Sequence, residues 1–293
     1  MGISFLITAL EQGLAFSVMV LGVYMTFRIL DFPDLSVDGS LPLGAAVSAK
    51  FIVAGINPFL SLIPALVAGG IAGAITGFLN TRFKIAPLLS GILTMTMLYS
   101  INLRIMGRPN IPLLGEKTIF KTMNNIGIPS PWNNLIILII IVLLVKFILD
   151  LFLKTQIGFA LRAAGDNPQM IRSMGVSTDT MKMIGVIIAN ALVALSGALV
   201  TQYQGFADVG MGIGTIVAGL ASVIVGEVVL GEKSIFITTL SIIVGSILYR
   251  LSISIALYIG FAASDLKLLT AIIVIIFLST PKLKNMIEVS VND

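Results

Sequence analysis

The chain alternates long apolar runs with short polar breaks along almost its whole length. The runs fall at about residues 4 to 27, 41 to 55, 58 to 80, 86 to 103, 134 to 153, 183 to 204, 213 to 230, 234 to 250 and 266 to 280. A straight helical span of a bilayer needs ~20 apolar residues, and most of these runs approach or exceed that length. The runs beginning near Leu41, Ile213 and Leu266 are shorter, with Gly, Pro or Asp in or beside them, and are expected to form broken or re-entrant helices. The pattern predicts an all-α polytopic membrane protein of about 8–10 transmembrane or broken helices.

Composition closes off the soluble alternative. Of 293 residues, 57% are hydrophobic and 11% charged, whereas a soluble domain carries about a quarter charged residues. The chain contains neither His nor Cys. Disulfides, thiolate or imidazole metal sites, cysteine nucleophiles and Ser-His relays are therefore excluded, and no metal-binding or catalytic residue is expected. The net charge of +4 is modest, and in such a chain basic residues report orientation rather than a nucleic-acid partner. The first run has no basic segment before it and carries Glu11 and Gln12, so it is expected to persist in the mature protein.

Orientation follows from the loop bearing Lys154, Arg162, Arg172 and Lys182, together with Lys282 and Lys284 near the end of the chain. Both segments are expected in the cytoplasm, which places the N-terminus outside and the C-terminus inside. The polar region from Arg104 to Asn133 then lies outside; its Pro109, Pro112, Pro129 and Pro131 predict an irregular loop serving as a functional surface. Phe32-Pro33-Asp34-Leu35 after the first run and Phe206-Ala207-Asp208-Val209 after the sixth occupy matching places, each between a long helix and a broken one. Under the topology above they face opposite sides, as an inverted repeat of runs one to four and six to nine demands.

The segment at about 155–177 carries the most specific wording. Ile157, Ala160, Leu161 and Ala164 fall at i, i+3, i+4 and i+7, so a short helix would bear one apolar stripe with Arg162 off it. Gly165 can end that helix; Asn167 and Pro168 supply a cap and a first-turn proline for a second, ended by Gly175. The stripe either lies on the lipid interface or docks in a groove of a partner protein.

Ile157-Gly158-Phe159-Ala160-Leu161-Arg162-Ala163-Ala164-Gly165-Asp166-Asn167-Pro168 resembles the cytoplasmic coupling segment of permeases in the branched-chain amino acid and simple-sugar ABC importer family. Gly13-Leu14-Ala15-Phe16, the corner Phe32 to Ser40 and Leu43-Gly44-Ala45 are similar to that family's opening helix, polar corner and broken helix. Asp34 to Ser40, Gly91 to Thr96 and Asn102 to Asn110 look most like the tryptophan/tyrosine importer subgroup. The resemblance covers essentially residues 1–293 as a single permease domain. It implies a permease homodimer moving a small solute, an amino acid of aromatic type, by alternating access. It further implies ATPase subunits docked on Ile157, Gly158, Ala160, Leu161, Arg162, Ala164, Gly165, Asp166, Asn167 and Pro168, and an extracellular solute-binding lipoprotein. ATP and Mg would be used by the ATPase, with no cofactor bound by this chain and no enzymatic activity of its own. The sequence Gly226-Glu227-Val228-Val229-Leu230-Gly231-Glu232-Lys233-Ser234 fails as a phosphate loop, since an extra residue precedes Lys233 and no strand leads into it. An ion-gradient-driven secondary transporter remains the alternative, because an inverted repeat and intramembrane carboxyls suit one too.

Buried polar residues complete the candidates for a translocation path or gate: Glu11, Asp34, Ser36, Asp38, Asn102 and Glu227. Glu11 serves either as a gate group or as a helix–helix hydrogen-bond partner. Asp34 and Asp38, with Ser36 and Ser40, suit caps on the broken helix near Leu41 or the lining of a path. Asn102 and Arg104 anchor the binding protein or reach the headgroups, as Arg108 does. Glu227 lies near Glu232 and Lys233 at an interfacial level, and Gln202, Tyr203 and Gln204 close the sixth span as interfacial polar groups. Gly69, Gly73 and Gly77, four apart, predict close approach of another helix.

Overall fold

A computed structural model describes residues 3–123, 132–231 and 234–261, with 265, 268, 270–272 and 275. The ninth apolar run lies mostly outside the described residues, as do Pro129, Pro131, Glu232, Lys233, Lys282 and Lys284. The other eight runs are helices: α1 (Ile3–Tyr24, continued by a π-turn, Met25–Ile29), α2 (Val37–Val53), α3 (Leu62–Thr81), α4 (Pro87–Met106), α6 (Trp132–Leu153), α9 (Thr178–Gln204), α10 (Thr215–Leu230) and α11 (Ile235–Ile259). Between them lie three short helices, α5 (Ile119–Met123), α7 (Gln156–Asp166) and α8 (Pro168–Ser173).

Six helices are long and apolar enough to span a bilayer, the shortest having 20 residues. With 17 and 16 residues, α2 and α10 reach only ~25 Å at 1.5 Å per residue, short of the ~30 Å hydrocarbon core. They are the two short elements expected at these places.

Two long helices form the axis. The apolar windows of α1 and α9 are each 78% buried, against 28–39% for the other four spans. Residue pairs set their direction: Tyr203 bonds Glu11, Ser196 bonds the Ala15 carbonyl, and Gly22 abuts Ala189, so α1 and α9 run antiparallel. The outer helices exchange partners around that axis. From the first half, α2 and α3 pack on α9; from the second, α10 and α11 pack on α1. The two corners also fold alike: Asp34 Oδ1 accepts from the Ser36 N–H and Asp208 Oδ1 from the Gly210 N–H, both at 2.8 Å. This crossed packing between oppositely directed halves is the arrangement an inverted repeat produces.

The helices meet through small residues. A Cβ at Gly44 or Gly197 would collide with the Ala194 or Leu41 carbonyl across the α2–α9 seam. Gly69 and Gly73 press in the same way on Asn190 and Val186 of α9, and Gly77 approaches Met183, as their spacing predicts. Many large side chains of the peripheral helices point outward, among them Ile71 and Phe78 on α3 and Leu144 and Phe147 on α6, while Leu21, Leu41 and Leu199 fill the interior around the axis.

Residues 104–123 of the polar loop are more ordered than expected. Residues Asn110–Pro112 form a strand, β1, paired antiparallel with β2 (Phe206–Asp208), so this loop is tied to the second corner. That end of the bundle is closed by Gln202 at the end of α9. Its amide nitrogen donates to Ser48 Oγ, Ser61 Oγ and the Pro58 carbonyl, while its oxygen accepts from the Ile119 N–H. Gln202 is therefore an internal tie rather than an interfacial polar group.

Because the α2–α9 seam requires backbone contact, Gly44→Val is expected to prevent it from closing, with a loss at or above the ~1–3 kcal/mol typical of overpacking. The check is fluorescence-detected size exclusion: the sharp peak should broaden or vanish in this variant and survive in Gly70→Ala, a helical glycine of α3 where an added Cβ makes only ordinary contacts.

Candidate functional site

The six path candidates separate into three environments. Asp34 and Ser36 lie in a sealed corner, 1% and 0% exposed. Asn190, in the middle of α9, donates to Asp34 Oδ2 at 2.8 Å and accepts from Ser36 Oγ and Ser40 Oγ at 3.0 and 2.6 Å. Gly91 of α4 lets that helix sit directly on the corner, where a Cβ would meet the Leu35 N–H and Asp34. Every polar group is matched, so this cluster pins the corner to α9. Asn190 was not among the candidates; its signal was a lone amide inside an apolar span.

Glu11 and Glu227 also have structural partners. Glu11 is 5% exposed and accepts from the Tyr203 hydroxyl at 2.8 Å, which realises the helix–helix reading. Glu227, near the end of α10, pairs with Arg28 of the π-turn at 2.9 Å. A further buried pair, Lys146 with Asp150 at 2.5 Å, joins α6 to α11 through the Thr239 hydroxyl and the face of the Phe236 ring.

Asp38 and Asn102 do converge. Both line a cavity of about 250 Å³ between α2, α4 and the loop before α10, with Met95, Tyr99 and Pro42 among its walls. Asp38 occupies the first turn of α2 but caps a different helix: its oxygens accept from the N–H groups of Gly214 and Ile216 and from the Thr215 hydroxyl, at 2.8–3.0 Å. The expected local cap is replaced by a bridge between the two broken helices, because Gly212 brings the α10 approach against the Asp38 backbone. Asn102 donates to the Gly39 carbonyl at 3.1 Å, and its Oδ1 is buried without a hydrogen-bond partner.

At the opposite end, α8 forms under the Asn167 cap expected of it, and α7 under a cap at Thr155. The Thr155 hydroxyl accepts from the Gly158 N–H, and Asn167 Oδ1 from the Met170 N–H. Pro168 takes the first turn of α8, while α7 continues through Gly165 to Asp166 before the break. Gly165 and Gly158 let α7 lie flush, since a Cβ at either would strike the Ile29 or Phe152 carbonyl. Leu161 and Ala164 are buried against the chain's own bundle, with Leu161 and Leu30 pressed on Gly185 of α9. That corrects the expectation that the Ile157–Ala160–Leu161–Ala164 stripe faces a partner. Of the stripe only Ile157, at its edge, is exposed (48%), beside Phe159 (64%) and Met170 and Met174 of the α8 turn. Asp166 is exposed, Ala160 half-buried, and Arg162 half-buried with one N–H on the Leu153 carbonyl.

Residues 5–279 match the family described as branched-chain amino acid transport system / permease component. The chain belongs to this family. The permease is 48% identical to the tyrosine transport system permease protein of Clostridioides difficile, over 95% of this chain and 92% of that protein. It is 29% identical to the ribose import permease protein RbsC of Bacillus subtilis, over 69% of this chain and 62% of that one. Its fold matches a metal-chelate type ABC transporter in an inward-facing conformation, with a TM-score of 0.51, 15% identity, and coverage of 96% of this chain and 85% of that chain. The chain is thus the permease component of an ABC transporter, a multi-pass membrane subunit of a kind that works with ATPase and substrate-binding partners.

The corner cluster generates a stability prediction. Asn190→Leu leaves Asp34 and two serine hydroxyls buried without their partner, at about 1–3 kcal/mol per orphaned group. Its thermal unfolding midpoint in detergent should fall well below wild type. Ser40→Ala removes one hydroxyl without stranding the carboxylate and should fall much less.

Proposed function

We propose that the permease imports an aromatic amino acid as a homodimer, each copy carrying one ATPase subunit on the outward face of α7 and α8. The supporting observation is the seating of that helix pair. The α7 backbone touches the end of α1 at Ile29, and Leu161 touches the start of α9 at Gly185, so a displacement of α7 bears on both axial helices at once. The π-turn ending α1 and the positive-φ Asp31 after it lie where that displacement would enter. Ile157, Phe159, Met170 and Met174 form the contact surface for a partner groove. ATP and Mg act in the ATPase, and a lipoprotein outside the cell delivers solute to the β1–β2 end.

The same geometry supports the cytoplasmic assignment of the α7 end. Arg28, Arg82, Lys84, Lys154, Arg162, Arg172 and Lys182 gather there, against Lys50, Arg104, Arg108, Lys117 and Lys121 at the opposite end. The first helix crosses once and ends at that face with Arg28, so the N-terminus is then outside. The aromatic solute is supported by the 48% identical relative, a tyrosine transport system permease protein. The Asp38–Asn102 cavity between the two broken helices is the segment of path this chain contributes.

Two experiments test this reading. In proteoliposomes, labelled tyrosine should accumulate only when the ATPase, the binding protein and ATP are all supplied; uptake by the permease alone under an ion gradient would establish the secondary-carrier alternative. Phe159→Asp should lower co-purification of the ATPase by about tenfold or more, as loss of a central aromatic anchor does, while leaving the permease peak intact. Leu161→Asp, by contrast, places a charge inside the bundle and should abolish the folded peak itself.

A further inference from the structure

Arg250 lies nine residues before the end of α11 at Ile259, ~14 Å along the helix axis. That is too deep for a side chain that snorkels from a helix end. Its guanidinium rests 3.7 Å from the centre of the Phe16 ring on α1. Among the described residues no carboxylate lies within ion-pair distance of it and no hydrogen bond engages it. The other intramembrane cation shows the contrast: Lys146 has Asp150 and the Phe236 ring, and together they make a closed structural contact. An intramembrane charge without a counter-ion is costly, and such residues mark sites where a partner arrives.

Arg250 also faces space. It lines a cavity of about 420 Å³ between α10 and α11, with Thr215, Ala218, Tyr249 and Thr270 among the walls. Phe16 covers one face of the guanidinium, which leaves the edges of a planar fork carrying five N–H donors and no acceptor. Thr215 stands in the first turn of α10, whose N–H groups are already capped by the Asp38 carboxylate, so the positive charge of the cavity comes from Arg250. The Tyr249 hydroxyl is held by Thr270 at 3.0 Å, so the phenol forms an ordered wall. Ile213 borders both this cavity and the one lined by Asp38 and Asn102, so the two lie on either side of the same turn.

We propose that Arg250 receives the carboxylate of the solute in transit, with the α10–α11 cavity as an anionic subsite of the path. The inference rests on the amino-acid reading for the identity of the solute, but the chemistry it requires is that of any small organic carboxylate. A bidentate pair between the fork and the carboxylate supplies the counter-ion that the resting fold withholds.

The absence of cysteine makes a direct test available, because Ala218→Cys places a unique thiol on the cavity wall. The variant permease, assembled with its ATPase subunits in nanodiscs, is labelled with a neutral maleimide in the presence of three probes. L-tyrosine and 3-(4-hydroxyphenyl)propionate both carry a carboxylate; tyramine carries only the amine. The two carboxylates should slow labelling by about fivefold or more, as a charge-assisted hydrogen bond of ordinary strength would, and tyramine should not. Adding Arg250→Gln should abolish protection, and Arg250→Lys, which keeps the charge without the fork, should retain part of it. Equal protection by tyramine, or full protection in Arg250→Gln, overturns the proposal. So does protection by laurate vesicles alone, which would assign the cavity to lipid. Should an Arg250 variant fail to assemble, the comparison of propionate with tyramine in the Ala218→Cys protein still decides. Protection by the propionate with no tyrosine transport would sink the amino-acid reading and leave the carboxylate site standing.

Discussion

Lipid tails are as apolar as leucine, so helices inside a bilayer gain little by hiding apolar side chains from their surroundings, and what holds them together is backbone approach and hydrogen bonding. In this permease that constraint falls on α9. Along one helix, Met183, Val186, Asn190 and Ala194 receive α3, Ala194 and Gly197 receive α2, and Ala189 receives Gly22 of α1. Most of these contacts bring backbone against backbone, with little side chain between them to adjust. Many large apolar side chains on α3, α4 and α6 therefore face outward, while the interior combines these small-residue seams with buried Leu, Val, Met and Phe of α1, α2 and α9.

Polar groups then locate what small residues bring together. A stripe of glycines permits sliding; a buried amide does not. Asn190 and Gln202 sit 12 positions apart on α9 and fasten opposite ends of the first half, one to the Asp34 corner and the other to Ser48, Ser61 and the loop before α5. The second half is fastened differently, by Glu11 with Tyr203, by Ser246 on the Gly13 carbonyl and by Arg28 with Glu227. Each half also carries an ion pair that reaches the water at the α7 end, Lys84 with Asp179 of α9 on the first and Arg28 with Glu227 on the second.

Much of this was legible in the sequence where a feature is local. The spans, the two short helices, the cap at Asn167 and the glycine seam of α3 all follow from length, spacing and side-chain type. The matching corners were legible as well, because an Asp followed two residues later by a free N–H makes the same turn wherever it occurs. What stayed hidden depends on partners distant in sequence. Asp38 reads as a cap for its own helix and instead caps α10, 176 residues away from the first N–H it accepts. The Leu161 stripe has the right period, but a period does not say whether the covering surface is a partner or the bundle, and here it is the bundle. Asn190 and Gln202 could have been singled out by the cost of an amide in an apolar span. Their partners could not.

The placement of charge carries the remaining step. Lys146, Glu11 and Asp34 are intramembrane groups that each find a partner within the chain. Among the described residues, Asn102 has an oxygen without a donor and Arg250 a guanidinium without an acceptor. Both line cavities that share Ile213, and both cavities flank the loop leading into α10. Asp38 stands between them, its carboxylate occupied by the N-terminus of that helix. A movement of α10 relative to α2 would therefore alter both cavities at once and would work against the three bonds that Asp38 makes. The turn before α10 is where the two halves of the permease, the unpaired polar groups and the short helices coincide, and a solute crossing there would meet an acceptor on one side and a cation on the other.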